Sequence, residues 1–148
     1  MSTDSHREII ANLPLFKAFP DQLTQRIAAV FEEVSEFKKV GPGTRLFGVD
    51  DQESNDGYIL LEGSVSIVKR VSPPFKAEAP VLLGEMKLFN PDNERSADVT
   101  ATEALEVLHF DWDSFYDLRK ERLAKSEYAI FGRALQDYSW LHFLGDDI

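Results

Sequence analysis

The 148-residue chain contains no cysteine. That excludes a disulfide scaffold, cysteine-ligated zinc, a thiol nucleophile and an iron–sulfur centre. Positive charge is scarce as well: 16 Lys and Arg stand against 26 Asp and Glu, a formal net charge of -10. Nucleic-acid affinity rests largely on cationic contacts to phosphate, so no DNA or RNA partner is expected. A small anion stays open, because one Arg and a few backbone amides can overrule the global field locally. No apolar run reaches the ~20 residues of a membrane-spanning helix, and the start MSTDSHREII lacks a signal-peptide core. A cytoplasmic protein without a membrane partner is the expectation. Histidine is thinly spread: His6, His109 and His142 form no H-x-H or H-x-x-x-H pair, so no metal site is expected. Glycine is too sparse for a phosphate-cradling P-loop, and no Ser stands in a nucleophile-elbow motif. The chain does not read as an enzyme.

What is present is a core. Hydrophobic residues make up 43% and aromatics 11%, enough for one ordinary domain over residues 1–148. From Ile9 to Phe37 the pattern is helical. Leu23, Ile27, Val30 and Phe31 recur at helix spacing behind Pro20 and Asp21, and the cluster Leu13, Leu15, Phe16 and Phe19 is placed to pack on that stripe. From Val40 onward, Gly41-Pro42-Gly43, Gly48, Asp56-Gly57, Gly63, Pro73-Pro74 and Pro80 cut the chain into pieces too short for helices. Between these breaks lie strand-forming runs at Tyr58–Leu61, Ser64–Val68, Ala97–Ala101 and Leu105–Phe110. Asp111 and Asp113 then open a helix carrying Trp112, Phe115 and Tyr116. Phe131, Ala134, Leu135, Tyr138 and Leu141 stripe a longer one, expected from about Leu123 to Leu144. The expected fold is mainly β with flanking helices: an antiparallel β-roll, or jelly roll, over 39–110. N-terminal helices precede it over 1–38, and C-terminal helices follow over 111–148.

The segment Leu83-Gly84-Glu85-Met86-Lys87-Leu88-Phe89-Asn90-Pro91-Asp92-Asn93-Glu94-Arg95-Ser96-Ala97 carries the chemistry. It resembles the phosphate-binding cassette of the cyclic nucleotide-binding domain family, the family of the catabolite activator protein and the regulatory subunits of cyclic-AMP-dependent protein kinase. Gly-Glu, an apolar turn, a variable loop and Arg-Ser-Ala follow in the family's order. Pro42 to Gly48, Tyr58 to Val65, and Val99 to Phe115 also resemble family segments, so the likeness spans about Leu13 to Leu118. The resemblance implies a sensor of cyclic AMP, with cyclic GMP as the other candidate. It implies binding through the matching positions Gly84, Glu85, Met86, Arg95, Ser96 and Ala97, with no cofactor.

Those residue types suit the task on physical grounds. The Arg95 fork matches the paired oxygens of a phosphate, and Ser96 adds a hydroxyl and an amide. A short helix from Glu85 would aim free amides, that of Met86 included, at the same anion. Glu85 repels phosphate and is suited instead to accept from the ribose 2′-hydroxyl, while Gly84 allows close backbone approach. Arg95 and Glu85 could equally form a plain ion pair, and a lone Gly-Glu or Arg-Ser means little. The alternative function is therefore a β-roll interaction module that binds a protein partner and no nucleotide. Pro80-Val81-Leu82-Leu83 stands where the family has a Gly-Asp turn, Lys87 replaces a small residue, and the hairpin before Gly84 reads as shortened with its turn at Val71–Pro74.

By resemblance, the final helix covers the base, and Arg133, Gln136, Tyr138 and Trp140 are its capping candidates by type. The C-terminal helices, the family's B and C helices, are the expected output toward an effector protein or a second copy. No helix-turn-helix follows them, so direct DNA regulation is not expected. The acidic run Asp50–Gly57 has calcium-like spacing, but Asp56 occupies the position that needs Gly, and a solvated turn is the better reading.

Overall fold

The computed structural model describes residues 3–13, 16–17, 19–47, 56–69, 73–83 and 97–139. Two helices open the chain, α1 (Thr3–Ala11) and α2 (Asp21–Val34). Pro20 stands at the N-cap of α2 in extended backbone, and Asp21 places a carboxylate in the first turn, where the helix dipole favours it. Leu23, Ile27, Val30 and Phe31 are all buried, as their spacing predicts. Leu13 and Phe16 are buried and Phe19 packs at the edge of the same core, while Leu15 lies outside the described residues.

Eight strands follow among the described residues: β1 (Glu36–Val40), β2 (Arg45–Phe47), β3 (Asp56–Glu62), β4 (Ser64–Lys69), β5 (Phe75–Glu78), β6 (Val81–Leu83), β7 (Ala97–Ala101) and β8 (Leu105–Asp111). They form two four-stranded sheets, ordered β1-β8-β3-β6 and β2-β7-β4-β5, with antiparallel pairing throughout. The chain passes repeatedly from one sheet to the other, which is the β-roll expected from the run of short strands. β4 and β5 pair as a hairpin from Ser64↔Glu78 to Ile67↔Phe75, and Val71 and Ser72 of the expected turn lie outside the described residues.

Strands β3, β6 and β8 of the first sheet are largely buried, with the helices on one face and the second sheet on the other. Gly57↔Phe110 and Ile59↔Leu108 are facing pairs on one side, and Phe110 meets Phe31 of α2 edge to face at 5.2 Å. Tyr58↔His109 and Leu60↔Val107 occupy the other side, and Tyr58 reaches Phe47 of the second sheet. In the second sheet Val65, Ile67, Val99 and Ala101 are buried, whereas Val68 is 41% exposed, the alternation of a sheet covered on one side. Gly63 makes the turn between β3 and β4 at φ +102. A Cβ there would stand 2.7 Å from the Ala104 carbonyl oxygen, so both conformation and space require glycine.

Two expectations need correction. The helical reading to Phe37 runs too far. Ser35 turns to extended backbone at the end of α2, and Glu36–Val40 is a strand paired with β8 from Glu36↔His109 to Val40↔Leu105. Its side chains are mostly exposed, so no burial pattern announced it; a partner some seventy residues away in sequence creates it. The C-terminal helix expected from Leu123 begins later. Helix α3 (Trp112–Arg122) stops at Leu123, whose N–H closes onto the Arg119 carbonyl, and α4 runs from Lys125 to Ser139. Residues from Trp140 onward lie outside the described residues. The start of α3 is as read: the Asp111 carboxylate accepts from the Asp113 N–H at 2.7 Å.

Candidate functional site

The Gly84–Ala97 motif joins the two sheets. It leaves from Leu83, the last residue of β6 at the edge of the first sheet, and re-enters at Ala97, the first residue of β7 inside the second. Leu83 is opposite Tyr58, and Tyr58 is opposite His109, so the three form one row across the first sheet. Ala97 is opposite Lys69 at the end of β4, and Val99 is opposite Phe47 at the end of β2. Leu83 and Ala97, the described residues that flank the motif, thus both stand at one end of the roll. Gly84, Glu85, Met86, Arg95 and Ser96, and with them Lys87 and the short helix expected near Glu85, lie outside the described residues.

The frame at that end is aromatic and polar. Tyr58 stacks on Phe47 at 6.0 Å with the rings 16° from parallel, and its hydroxyl donates to the Leu46 carbonyl at 3.3 Å. The ring thus crosses from one sheet to the other. His109 packs against Tyr58 at 5.0 Å, and its Nε2 is 2.8 Å from Asp56 Oδ1. His109 is a strand residue of β8, as the sequence suggested, and its ring is engaged with the Asp56 carboxylate. Among the described residues no group of three or more His, Cys, Asp or Glu is placed to hold a metal ion. Of the calcium-like run only Asp56 and Gly57 are described, and they begin β3.

The opposite end of the roll has the wrong charge for a phosphate. An open depression there is lined by Lys39, Glu62, Glu103 and Glu106 among others. Glu62 and Glu106 are direct cross-strand neighbours. Carboxylates at that spacing repel an anion.

The C-terminal helices leave from the motif's end of the roll, because β8 finishes at Asp111, opposite Asp56. Trp112 and Phe115 of α3 are buried against Phe31, and Phe131 of α4 joins them, 5.4 Å from Phe115 and 5.9 Å from Phe31. Phe131, the start of the expected stripe, thus packs on the protein's own core. Leu135 and Tyr138 belong to α4, but their side chains, like that of Gln136, lie outside the described ones; Trp140 and Leu141 lie outside altogether. Arg133 is on α4 and exposed. The Tyr116 phenol has its pKa raised above 10.0 by burial, an effect the nearby Arg119 charge partly offsets.

Sequence reasoning missed the polar contacts that hold the helices together. Arg7 of α1 pairs with Glu32, Arg122 of α3 with Glu33, and Glu127 of α4 with Arg26, so α1, α3 and α4 are each tied to α2. No local spacing signals these pairs, whose partners are 25, 89 and 101 positions apart.

Comparison with known proteins agrees with this architecture. The family model described as the cyclic nucleotide-binding domain matches residues 37–122, a span that takes in the whole Gly84–Ala97 motif. Among solved structures, the regulatory domain of Toxoplasma gondii PKA in complex with cAMP superposes with a TM-score of 0.64 at 17% identity. That match covers 90% of this chain and 50% of that one. The cAMP-bound PfPKA-R gives 0.67 at 19% identity, over 97% of this chain and 47% of the other. This chain thus spans about half the length of each. The sensor domain of the transcriptional regulator DNR from Pseudomonas aeruginosa gives 0.64 at 14% identity, with 93% of both chains covered. At these identities the structures establish the fold, and the family model establishes descent. With the model matching more than half of the chain, the protein belongs to the cyclic nucleotide-binding domain family, whose domains are regulatory modules rather than catalysts.

Proposed function

We propose that this chain is a cytoplasmic cyclic nucleotide sensor, with cyclic AMP as its ligand. In this reading Arg95 and Ser96 bind the cyclic phosphate with the Met86 and Ala97 amides, Glu85 accepts from the ribose 2′-hydroxyl, and Gly84 admits the sugar. The supporting observation is the Gly84–Ala97 motif itself: every anchor in order, within a family match, joining the two sheets of a roll. Ser96 beside Arg95 resembles the pattern of cyclic-AMP-preferring relatives. The two PKA structures that share the fold carry cAMP.

Signalling follows from where the helices begin. Because α3 leaves β8 at the motif's end of the roll, tightening of the motif on a phosphate biases the packing of α3 and α4, and a partner protein or a second copy reads that bias. A ligand moves the equilibrium only by its difference in affinity for the two packings. The whole of residues 1–148 acts as one sensor unit in this account. Among the described residues no helix is long and apolar enough to cross a membrane.

Thermal unfolding in the presence of cyclic AMP, cyclic GMP and 5′-AMP tests the reading. Cyclic AMP raises the midpoint most, cyclic GMP less, and the acyclic nucleotide least, because it presents a more highly charged phosphate of different geometry. Equal midpoints with and without all three would leave the protein-binding roll as the surviving account.

A further inference from the structure

Glu127 does two jobs in one place. Its Oε1 accepts from the Ala124 backbone N–H at 2.8 Å, filling an otherwise unpaired donor at the start of α4. The same carboxylate takes both terminal nitrogens of Arg26 on α2, at 2.7 Å and 2.5 Å. Arg119 of α3 braces the same joint. Its guanidinium is clamped between the rings of Tyr116 on α3 and Tyr128 on α4, 4.3 Å and 4.4 Å from their centroids. The first turn of α4 is thereby pinned to both neighbouring helices, while Phe131, one turn further on, enters the shared core.

We infer that Arg26 and Glu127 are positioning residues for ligand binding: their ion pair fixes the pivot from which α4 extends, and so sets how far α4 is docked when the nucleotide arrives. This rests on the cyclic nucleotide reading above. The pair is suited to an adjustable contact rather than a permanent one. Arg26 is half exposed while Glu127 is mostly covered, with side-chain exposures of 51% and 19%. Such a pair shifts an equilibrium severalfold without locking it. The remaining contacts of the joint, Phe131 in the core and Arg119 between its tyrosines, are insensitive to loss of the Arg26 charge. Breaking the pair therefore loosens the pivot without unfolding the helix.

The absence of native cysteine allows the test by site-directed spin labels at Gln22 on α2 and Ala129 on α4, both exposed. Distance distributions between the labels are recorded without and with cyclic AMP, for wild type, Arg26→Gln and the exchange Arg26→Glu/Glu127→Arg. In Arg26→Gln the docked distance loses population without ligand, and cyclic AMP affinity falls about two- to fivefold. The exchange restores both in part, since it remakes the pair and loses only the Ala124 cap. The wild-type affinity also falls as salt is raised from about 50 to 500 mM, more steeply than that of Arg26→Gln. An unchanged distance distribution in Arg26→Gln overturns the inference. So does a lost docked population with unchanged affinity. A wild type that binds no nucleotide overturns the functional reading and, with it, the positioning role, while the label distances still report whether the pair holds the joint.

Discussion

Leu83 stands directly opposite Tyr58 in the register of β6 and β3, so the residue that precedes Gly84 is paired with the ring that reaches across to Phe47 in the other sheet. The point of departure of the Gly84–Ala97 motif is therefore braced by both sheets. Tyr58 carries this through ring packing more than through its 3.3 Å hydrogen bond to Leu46, which is long. Tyr58→Phe costs no more than about 1 kcal/mol, whereas Tyr58→Ala costs about 2–4 kcal/mol as the brace is lost. Urea unfolding of both variants checks the ratio.

Gly57 is a second fixed point. A Cβ at this position would come 2.5 Å from Phe110 Cζ and 2.9 Å from Trp112 Nε1, both in a packed core. Gly57→Ala is expected to destabilise by about 1–3 kcal/mol. Gly132 in α4 has nothing within 4 Å of its own Cβ position, so Gly132→Ala stabilises by about 0.5–1 kcal/mol through helix propensity. Opposite signs for one substitution at two glycines, read by thermal unfolding, are the signature.

Phe31 is the centre of the helical core. Its ring meets Phe110, Trp112, Phe115 and Phe131 at 5.2, 6.2, 4.4 and 5.9 Å. Phe31→Ala removes contacts to β8, α3 and α4 together and costs about 3–5 kcal/mol. Phe31→Leu retains much of the volume and costs less. Chemical denaturation separates the two.

Tyr116 gives the stability a specific dependence on alkaline pH. Burial, its largest perturbation, raises the phenol pKa above the ordinary value of 10.0. The folded state then holds this proton more tightly than the unfolded state. The contribution is fully present below pH 10 and is lost as pH rises toward and through the folded value. The difference in unfolding free energy between wild type and Tyr116→Phe is therefore flat from neutral pH to about pH 9 and shrinks above about pH 10. A difference that stays constant into that range would contradict the burial of the phenol.

Much of this molecule is legible in its sequence, for identifiable reasons. Leu23, Ile27, Val30 and Phe31 report a helix because one face meets a core, and Val65 and Ile67 report a strand because the opposite face meets water. The Asp111 cap is a local feature with a local signal. β1 is different: its Phe37 is 42% exposed and its lysines face solvent, so the strand exists only because β8 is beside it. The break at Leu123 and Ala124 is hidden for a similar reason, since Glu127 stabilises it through Arg26 from a distant helix. The motif's residues are recognisable by order and type, whereas the aromatic packing beside Leu83 depends on the register of Tyr58 with both His109 and Leu83.

Whether Arg95 anchors a cyclic phosphate is read by titration calorimetry of wild type and Arg95→Ala with cyclic AMP and cyclic GMP, the fold of the variant being checked by circular dichroism. Wild type is expected to bind cyclic AMP at micromolar affinity or tighter and cyclic GMP more weakly, and Arg95→Ala to lose at least about thirtyfold, the scale of truncating one partner of a hydrogen-bonded charge pair. No heat with either nucleotide, or equal affinity in wild type and a folded Arg95→Ala, would contradict that role.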